Sequence, residues 1–169
     1  MAGKAVKIGV VAPGRRIDKE MAERVKAFAA DAFLDRAPEI VFHPQCFLSA
    51  GHFAGDDDAR AEAFLDVAND PSIDAVWFAR GGYGACRIAE AVLGGYHENA
   101  IKKTYLGYSD GGALLAGLYA KGFERVAHGP MVGDIAREGG DNAIRRALAF
   151  LVEQAPETLE LTVASDTKT

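Results

Sequence analysis

The chain has 169 residues, 49% of them hydrophobic and 25% charged, with a formal net charge of −5. This composition suits one domain with a packed core and argues against a disordered chain, and the acidic balance without a basic block argues against a nucleic-acid partner. No apolar stretch approaches a membrane span, and Lys7 interrupts the first apolar run where a signal peptide needs an unbroken one. Cys46 and Cys86 are too few and too far apart for a disulfide framework or a metal knuckle, so they are expected as reduced thiols in a cytosolic protein.

In chain order, Val6–Ala12 forms a near-continuous apolar run, as expected of a strand buried on both faces, and Pro13-Gly14 ends it. Asp18 opens a helix whose apolar positions Met21, Val25, Phe28, Ala29, Ala32 and Phe33 keep helical spacing. Glu39–His43 is a short second strand stopped by Pro44, and residues 45–55 follow as a loop. Asp56-Asp57-Asp58 precedes a helix with Ala61, Phe64, Leu65 and Ala68 on one face. The triplet suits capping of that helix better than a cation, because no further carboxylate follows at a loop-ligand spacing.

Ile73–Ala79 is a third strand, followed by Arg80-Gly-Gly-Tyr-Gly84 and a helix with Ile88, Ala89, Val92 and Leu93 inward, ended by Gly94-Gly95. Thr104–Tyr108 is a fourth strand and Ala113–Ala120 a buried helix. Arg125–Met131 is a fifth strand ending in a turn. Asp141 is expected to cap a last helix bearing Ile144, Ala147, Leu148 and Leu151, and Leu159–Val163 is one more short strand. The alternation predicts an α/β fold in three layers, a mostly parallel sheet with helices on both faces. Ligands of such sheets bind at the carboxyl ends of the strands, where the loops Ala12–Gly14, Arg80–Gly84, Gly107–Gly111 and His128–Pro130 fall.

Gly107-Tyr-Ser-Asp-Gly111 fits G-x-S-x-G, a sharp strand-to-helix turn that holds a serine hydroxyl out from the end of a sheet. Ser109 is the candidate nucleophile. The N–H of Asp110 is the natural first oxyanion donor, and Gly81 or Gly82 of the neighbouring loop the second. Arg80 suits a bidentate carboxylate contact or a structural salt bridge. Ser109-Asp110 equally suits a helix N-cap, and the glycine loop equally suits a tight turn. The histidines are His43, His52, His97 and His128. Only His128, after the fifth strand, is placed near Ser109 by topology, and no carboxylate stands out as its orienting partner, so the triad is incomplete. A compact α/β-hydrolase is excluded by order, since His128 precedes Asp134, Glu138 and Asp141. A flavodoxin-like module binding a small phosphate or carboxylate ligand remains the non-enzymatic alternative, although no G-x-G-x-x-G or P-loop follows a strand.

Val11-Ala-Pro13, Gly51-His-Phe-Ala-Gly-Asp-Asp57 with Arg60-Ala61, Ala79-Arg-Gly-Gly-Tyr-Gly84, Gly107-Tyr-Ser-Asp110 and His128-Gly-Pro-Met131 occur in this order. Together they resemble the N-terminal domain of the LD-carboxypeptidases, serine peptidases that include muramoyltetrapeptide carboxypeptidase and the microcin C self-immunity protein. The resemblance covers residues 6–150 and implies the flavodoxin-like first domain of that family.

It further implies hydrolysis of the amide between meso-diaminopimelate (or lysine) and a terminal D-alanine of murein peptides, in the cytoplasm, during cell-wall recycling. No metal or cofactor is implied, and a homodimer is. Ser109 takes the nucleophile's place, with Gly81, Gly82 and Asp110 in the oxyanion region and Arg80 and Tyr83 on the substrate. In the family the catalytic glutamate and histidine come from a C-terminal domain, and His128 matches the His-Gly-Pro motif of the first domain instead. Residues 1–155 are therefore expected as the nucleophile-bearing domain and 156–169 as a linker or tail toward that second domain, with little activity from this part alone. Gly111-Gly112 stands where the family has bulkier residues, which would loosen the start of the helix.

Overall fold

The computed structural model describes residues 5–153. Strands β1 (Lys7–Val11), β2 (Glu39–Phe42), β3 (Ala75–Phe78), β4 (Thr104–Gly107) and β5 (Val126–His128) form one sheet of order β2-β1-β3-β4-β5. Every pairing is parallel, so each return of the chain crosses a face of the sheet through a helix. The helices are α1 (Lys19–Phe33), α2 (Asp57–Asn69), α3 (Ala89–Gly95), α4 (Glu98–Ile101), α5 (Gly112–Ala120) and α6 (Gly140–Glu153).

Neighbouring strand residues face opposite layers, and the core divides accordingly. Val10, Trp77 and Leu106 pack under α1 and α6 with Val25, Ala29, Ile144 and Leu148. Val11, Phe78 and Tyr105 pack under α2, α3 and α5 with Phe64, Val92 and Leu118. The central strands are buried at every position, which explains their unbroken apolar reading.

Local chemistry starts the helices where the residues suggest. Asp18 accepts from the Met21 N–H at 2.7 Å to open α1, and Asp56 accepts from the Ala59 N–H at 2.8 Å to open α2. The acidic triplet thus caps α2, and its second member, Asp57, pairs with Arg60 and Arg87.

Four local expectations need correction. Asp141 lies inside the first turn of α6 and pairs with Arg24 at 3.2 Å; the bare Gly140 packs against the Asp134 carbonyl and lets the helix begin one residue earlier. The fifth strand is only Val126–His128. Its last ladder bond is the Gly129 N–H to the Gly107 carbonyl, after which Pro130 has no N–H to continue. Residues 45–55 are more ordered than a plain loop. Pro44–Phe47 is a 3-10 turn, and buried Gln45 bonds Ala12 on both its N–H and its carbonyl, as well as the Ala54 carbonyl. Finally, α4 follows His97, between the glycine pair that ends α3 and the start of β4, where no element was expected. The expected strand Leu159–Val163, the 155/156 boundary and the tail lie outside the described residues.

Going from β1 to β2 the chain moves one way along the sheet, and from β2 to β3 it crosses to the other side of β1. The loops after β1 and β3 therefore diverge, which opens a crevice at the carboxyl edge. The loop after β4 is the next in line.

Candidate active site

Ser109 sits in that crevice. It follows β4 directly and begins a 3-10 turn, Ser109–Gly111, that runs into α5. Its φ is +56°, a left-handed conformation that costs a non-glycine residue about 1–2 kcal/mol. Packing imposes it. Gly107 and Gly111 both press on the Phe78 ring so closely that a Cβ at either would overlap it, and the chain between them must turn within that contact. The side chain is exposed, and among the described residues its hydroxyl has no hydrogen-bond partner. It does not cap α5, whose start carries no side-chain cap.

The cleft over Ser109 has a volume of about 450 Å³. Arg80, Gly81 and Gly82 form one wall and Arg15 and Met21 another, while Met131, Gly133, Asp134 and Arg137 close the far side. A Cβ built on Gly81 would lie 3.4 Å from the Ser109 hydroxyl oxygen, an ordinary van der Waals contact, so the backbone of the glycine loop passes directly beside the hydroxyl. The Gly81 carbonyl accepts from the Arg15 N–H at 3.1 Å, whereas the Gly81 and Gly82 N–H groups have no acceptor among the described residues.

Two expected residues do not line this cleft. The Asp110 carboxylate reaches the loop after β3, accepting from the Gly84 and Ala85 N–H groups at 2.9 and 3.0 Å. It clamps the glycine loop to the serine turn. Tyr83 is 81% exposed at φ +63°, and its ring lies 6.2 Å from that of His52.

Arg60 is a second clamp. It is 1% exposed, and its guanidinium donates to the Pro13 carbonyl, to the Gly84 carbonyl at 2.7 Å and to Asp57. One buried cation thus joins the loops after β1 and β3. Arg87 holds the outer side of Asp57 at 2.7 Å, and its hydrogen bond keeps that carboxyl below the usual carboxylate range.

The far wall was not foreseen from the sequence. The 3-10 turn Val132–Ala136 places buried Asp134 where it accepts from the Tyr108 hydroxyl and from the Met131 N–H, both at 2.8 Å, and pairs with Arg137 at 3.0 Å. Burial, with the Asp134 contact second, raises the Tyr108 hydroxyl above its ordinary pKa. The residue before the serine is thus tied down through its side chain. An acidic residue three positions after Met131 is the spacing of a turn-capping carboxylate, the one signal that marks it in sequence.

No described histidine lines the Ser109 cleft. His43 accepts from the Gln45 N–H at 3.2 Å and lies 3.5 Å from Asp66. His52 is exposed beside Phe53, and His97 precedes α4. His128 lines an adjoining depression of about 330 Å³ that shares Tyr108, Asp134 and Arg137 with the cleft, its ring 6.0 Å from that of Tyr108. Cys46 is buried and donates to the Val10 carbonyl at 3.3 Å; burial pushes its thiol up to about 12, which leaves it inert. Among the described residues there is no cluster of histidine, cysteine and carboxylate side chains able to hold a metal ion, and no helix is long and apolar enough to cross a membrane.

The family model for the LD-carboxypeptidase N-terminal domain, peptidase family S66, matches residues 8–129. A Streptomyces coelicolor protein named as a carboxypeptidase is 28% identical over 167 residues, 95% of this chain and 51% of its own. The murein tetrapeptide carboxypeptidase of Pseudomonas aeruginosa is 26% identical over 129 residues, 74% of this chain and 39% of its own. The structure of the microcin C7 self immunity protein MccF superposes with a TM-score of 0.68 at 22% identity, over 89% of this chain and 45% of that one. The chain thus spans about half the length of these relatives or less. On the match over residues 8–129, the chain belongs to the LD-carboxypeptidase family of S66 peptidases, whose N-terminal domain it carries.

Proposed function

We propose that this chain is the nucleophile-bearing domain of a serine LD-carboxypeptidase acting on murein peptides. The observation that carries the reading is the Ser109 hydroxyl, held at φ +56° on the corner between β4 and α5, exposed and facing a cleft walled by bare glycine backbone. The Ser109 oxygen would attack the carbonyl of the amide that precedes a terminal D-alanine. A C–O bond forms, the C–N bond breaks, the amine leaves with a proton, and water then hydrolyses the acyl-serine. The N–H groups of Gly81, Gly82 and Asp110 would donate to the negative charge on the carbonyl oxygen, and one such donor is worth on the order of 10²–10³ in rate. Arg80 meets the terminal carboxylate at the cleft wall, and Tyr83 the outer part of the peptide.

The proton acceptor comes from elsewhere. Support for this is the position of the four histidines, none of which lines the serine cleft. We assign the base to a glutamate–histidine pair of a C-terminal domain, with residues 1–155 as the first domain and 156–169 as the linker toward it. The setting is the cytoplasm, in cell-wall recycling, with the protein as a homodimer.

The reading is tested by release of D-alanine from murein tetrapeptide. The 169-residue chain alone should stay near background, since losing one member of a serine–histidine pair costs about 10⁶ in turnover in the subtilisin precedent. Joined to the C-terminal half of the Pseudomonas aeruginosa relative it should release D-alanine, and Ser109→Ala in that fusion should abolish release. Equal turnover with and without Ser109 would remove the serine mechanism, whereas no turnover by the fusion would favour the flavodoxin-like ligand-binding alternative.

A further inference from the structure

The turn Val132–Ala136 is fastened to both of the strands whose ends carry the site. On one side it holds the exit of β3. The Gly133 N–H donates to the carbonyl of Ala79, immediately before Arg80, at 2.9 Å, and the Trp77 indole N–H donates to the Pro130 carbonyl at 2.8 Å. Met131 lies against the glycine loop itself, since a Cβ on Gly81 would be 3.6 Å from its terminal methyl group. On the other side the turn holds the exit of β4. The Asp134 carboxylate accepts from the Tyr108 hydroxyl at 2.8 Å, and the Tyr108 carbonyl accepts from the Gly111 N–H at 3.1 Å, which closes the 3-10 turn that begins at Ser109.

Asp134 joins these two fastenings. It is buried, and its oxygens divide the work: Oδ2 accepts from the Met131 N–H at 2.8 Å, while Oδ1 accepts from Tyr108 and pairs with Arg137 at 3.0 Å. The start of α6 packs against its back, where a Cβ on Gly140 would overlap the Asp134 carbonyl. A hydrogen bond to an ionised carboxylate is stronger than one between neutral groups, so the link to Tyr108 is a firm one. Ser109 needs such a link. A non-glycine residue at φ +56° persists only where its surroundings over-determine it, and Tyr108 is its immediate neighbour.

We infer that Asp134 is a positioning residue: acting through Tyr108, it keeps Ser109 in its strained conformation and sets the serine hydroxyl at a fixed place beside the glycine loop after β3. Its consequence for turnover rests on the peptidase reading, but the brace itself belongs to this chain and is tested apart from it.

Two variants are compared with the native sequence. Tyr108→Phe removes the hydroxyl alone and leaves the Met131 and Arg137 contacts of Asp134 in place, and Asp134→Asn removes the charge. In the 169-residue chain, amide hydrogen exchange follows the Gly111 N–H and, as a distant reference, the His43 N–H, which donates to the Val10 carbonyl at 3.0 Å beyond the end of β2. Both variants should speed exchange at Gly111 about tenfold and leave His43 within about twofold. An unchanged Gly111, or equal acceleration of both amides, would overturn the brace, the second because it signals only a weaker fold. In the fusion that restores the C-terminal half, each variant should lower kcat by about ten- to a hundredfold with KM within about twofold, because a displaced nucleophile loses transition-state geometry and not substrate binding. An unchanged kcat, or a rise in KM alone, would overturn the positioning role. A native fusion without Ser109-dependent turnover would fail the peptidase reading instead, and the exchange at Gly111 then decides the brace by itself.

Discussion

The two edges of the sheet use charge in opposite ways. At the amino edge the charged groups are committed to the fold. Lys7 pairs with Glu39 at 3.4 Å, its N–H donates to Asp74 at 2.8 Å, and Lys103 is buried with its ammonium on the Val67 and Asp70 carbonyls. That burial lowers the Lys103 pKa. At the carboxyl edge, only part of the charge is committed. Arg60 and Asp110 clamp the loops from behind, while Arg15, Arg16 and Arg80 face outward without partners among the described residues. Backbone strain is concentrated at the carboxyl edge without being confined to it. Of the non-glycine residues at positive φ, Tyr83 and Ser109 are both at the carboxyl edge, and Leu34, which ends α1, is the third. The lesson is that the site consists of groups the fold holds in place without using them up.

The comparison is broken most severely at Arg60. Replacing it with methionine strips the Pro13 and Gly84 carbonyls of their donor. Urea unfolding should show a loss of about 3 kcal/mol, the scale of a broken buried charge network; a change below about 1 kcal/mol would mean the loops hold themselves. At Ser109 the sign reverses. Ser109→Gly should raise stability by about 1 kcal/mol in the same experiment, because glycine adopts φ +56° freely, while Ser109→Ala should leave it nearly unchanged.

A subtler difference is in pH. Asp57 has its folded pKa lowered, chiefly by the Arg87 hydrogen bond, so its contribution is present above the ordinary carboxylate pKa and lost as pH falls through it toward the depressed value. The stability gap between the native chain and Asp57→Asn should therefore be full near pH 6 and shrink below about pH 4. A gap that widens in acid would refute the assignment. The smallest effect belongs to the amino edge. Glu39→Gln, at a pair whose glutamate is 60% exposed, should shift stability by no more than about 0.5 kcal/mol.

Much of this division was legible in the residues. The apolar runs marked β1, β3 and β4, Asp18 and Asp56 marked the starts of α1 and α2, and G-x-S-x-G marked the turn that carries Ser109. These signals are local: strand burial, a cap and a turn each act within a few residues. The Asp110 and Arg60 clamps were not legible, because their partners lie 24 to 47 positions away in sequence. Nor was the Val132–Ala136 wall, whose Asp134 matters only once Tyr108 is folded against it.

The order of residues by itself determined the α/β alternation, the glycine-marked loops and the serine at the head of a helix, since periodicity and turn chemistry are properties of short segments. Tertiary structure alone decided that β1 lies between β2 and β3, so that the loops after β1 and β3 part beside the serine. It also decided that Asp110 turns to the Gly84 loop and that the cations of Arg15, Arg16 and Arg80 gather around one hollow. Charges far apart in sequence attract, repel or await a partner only after packing has brought them within a few ångströms.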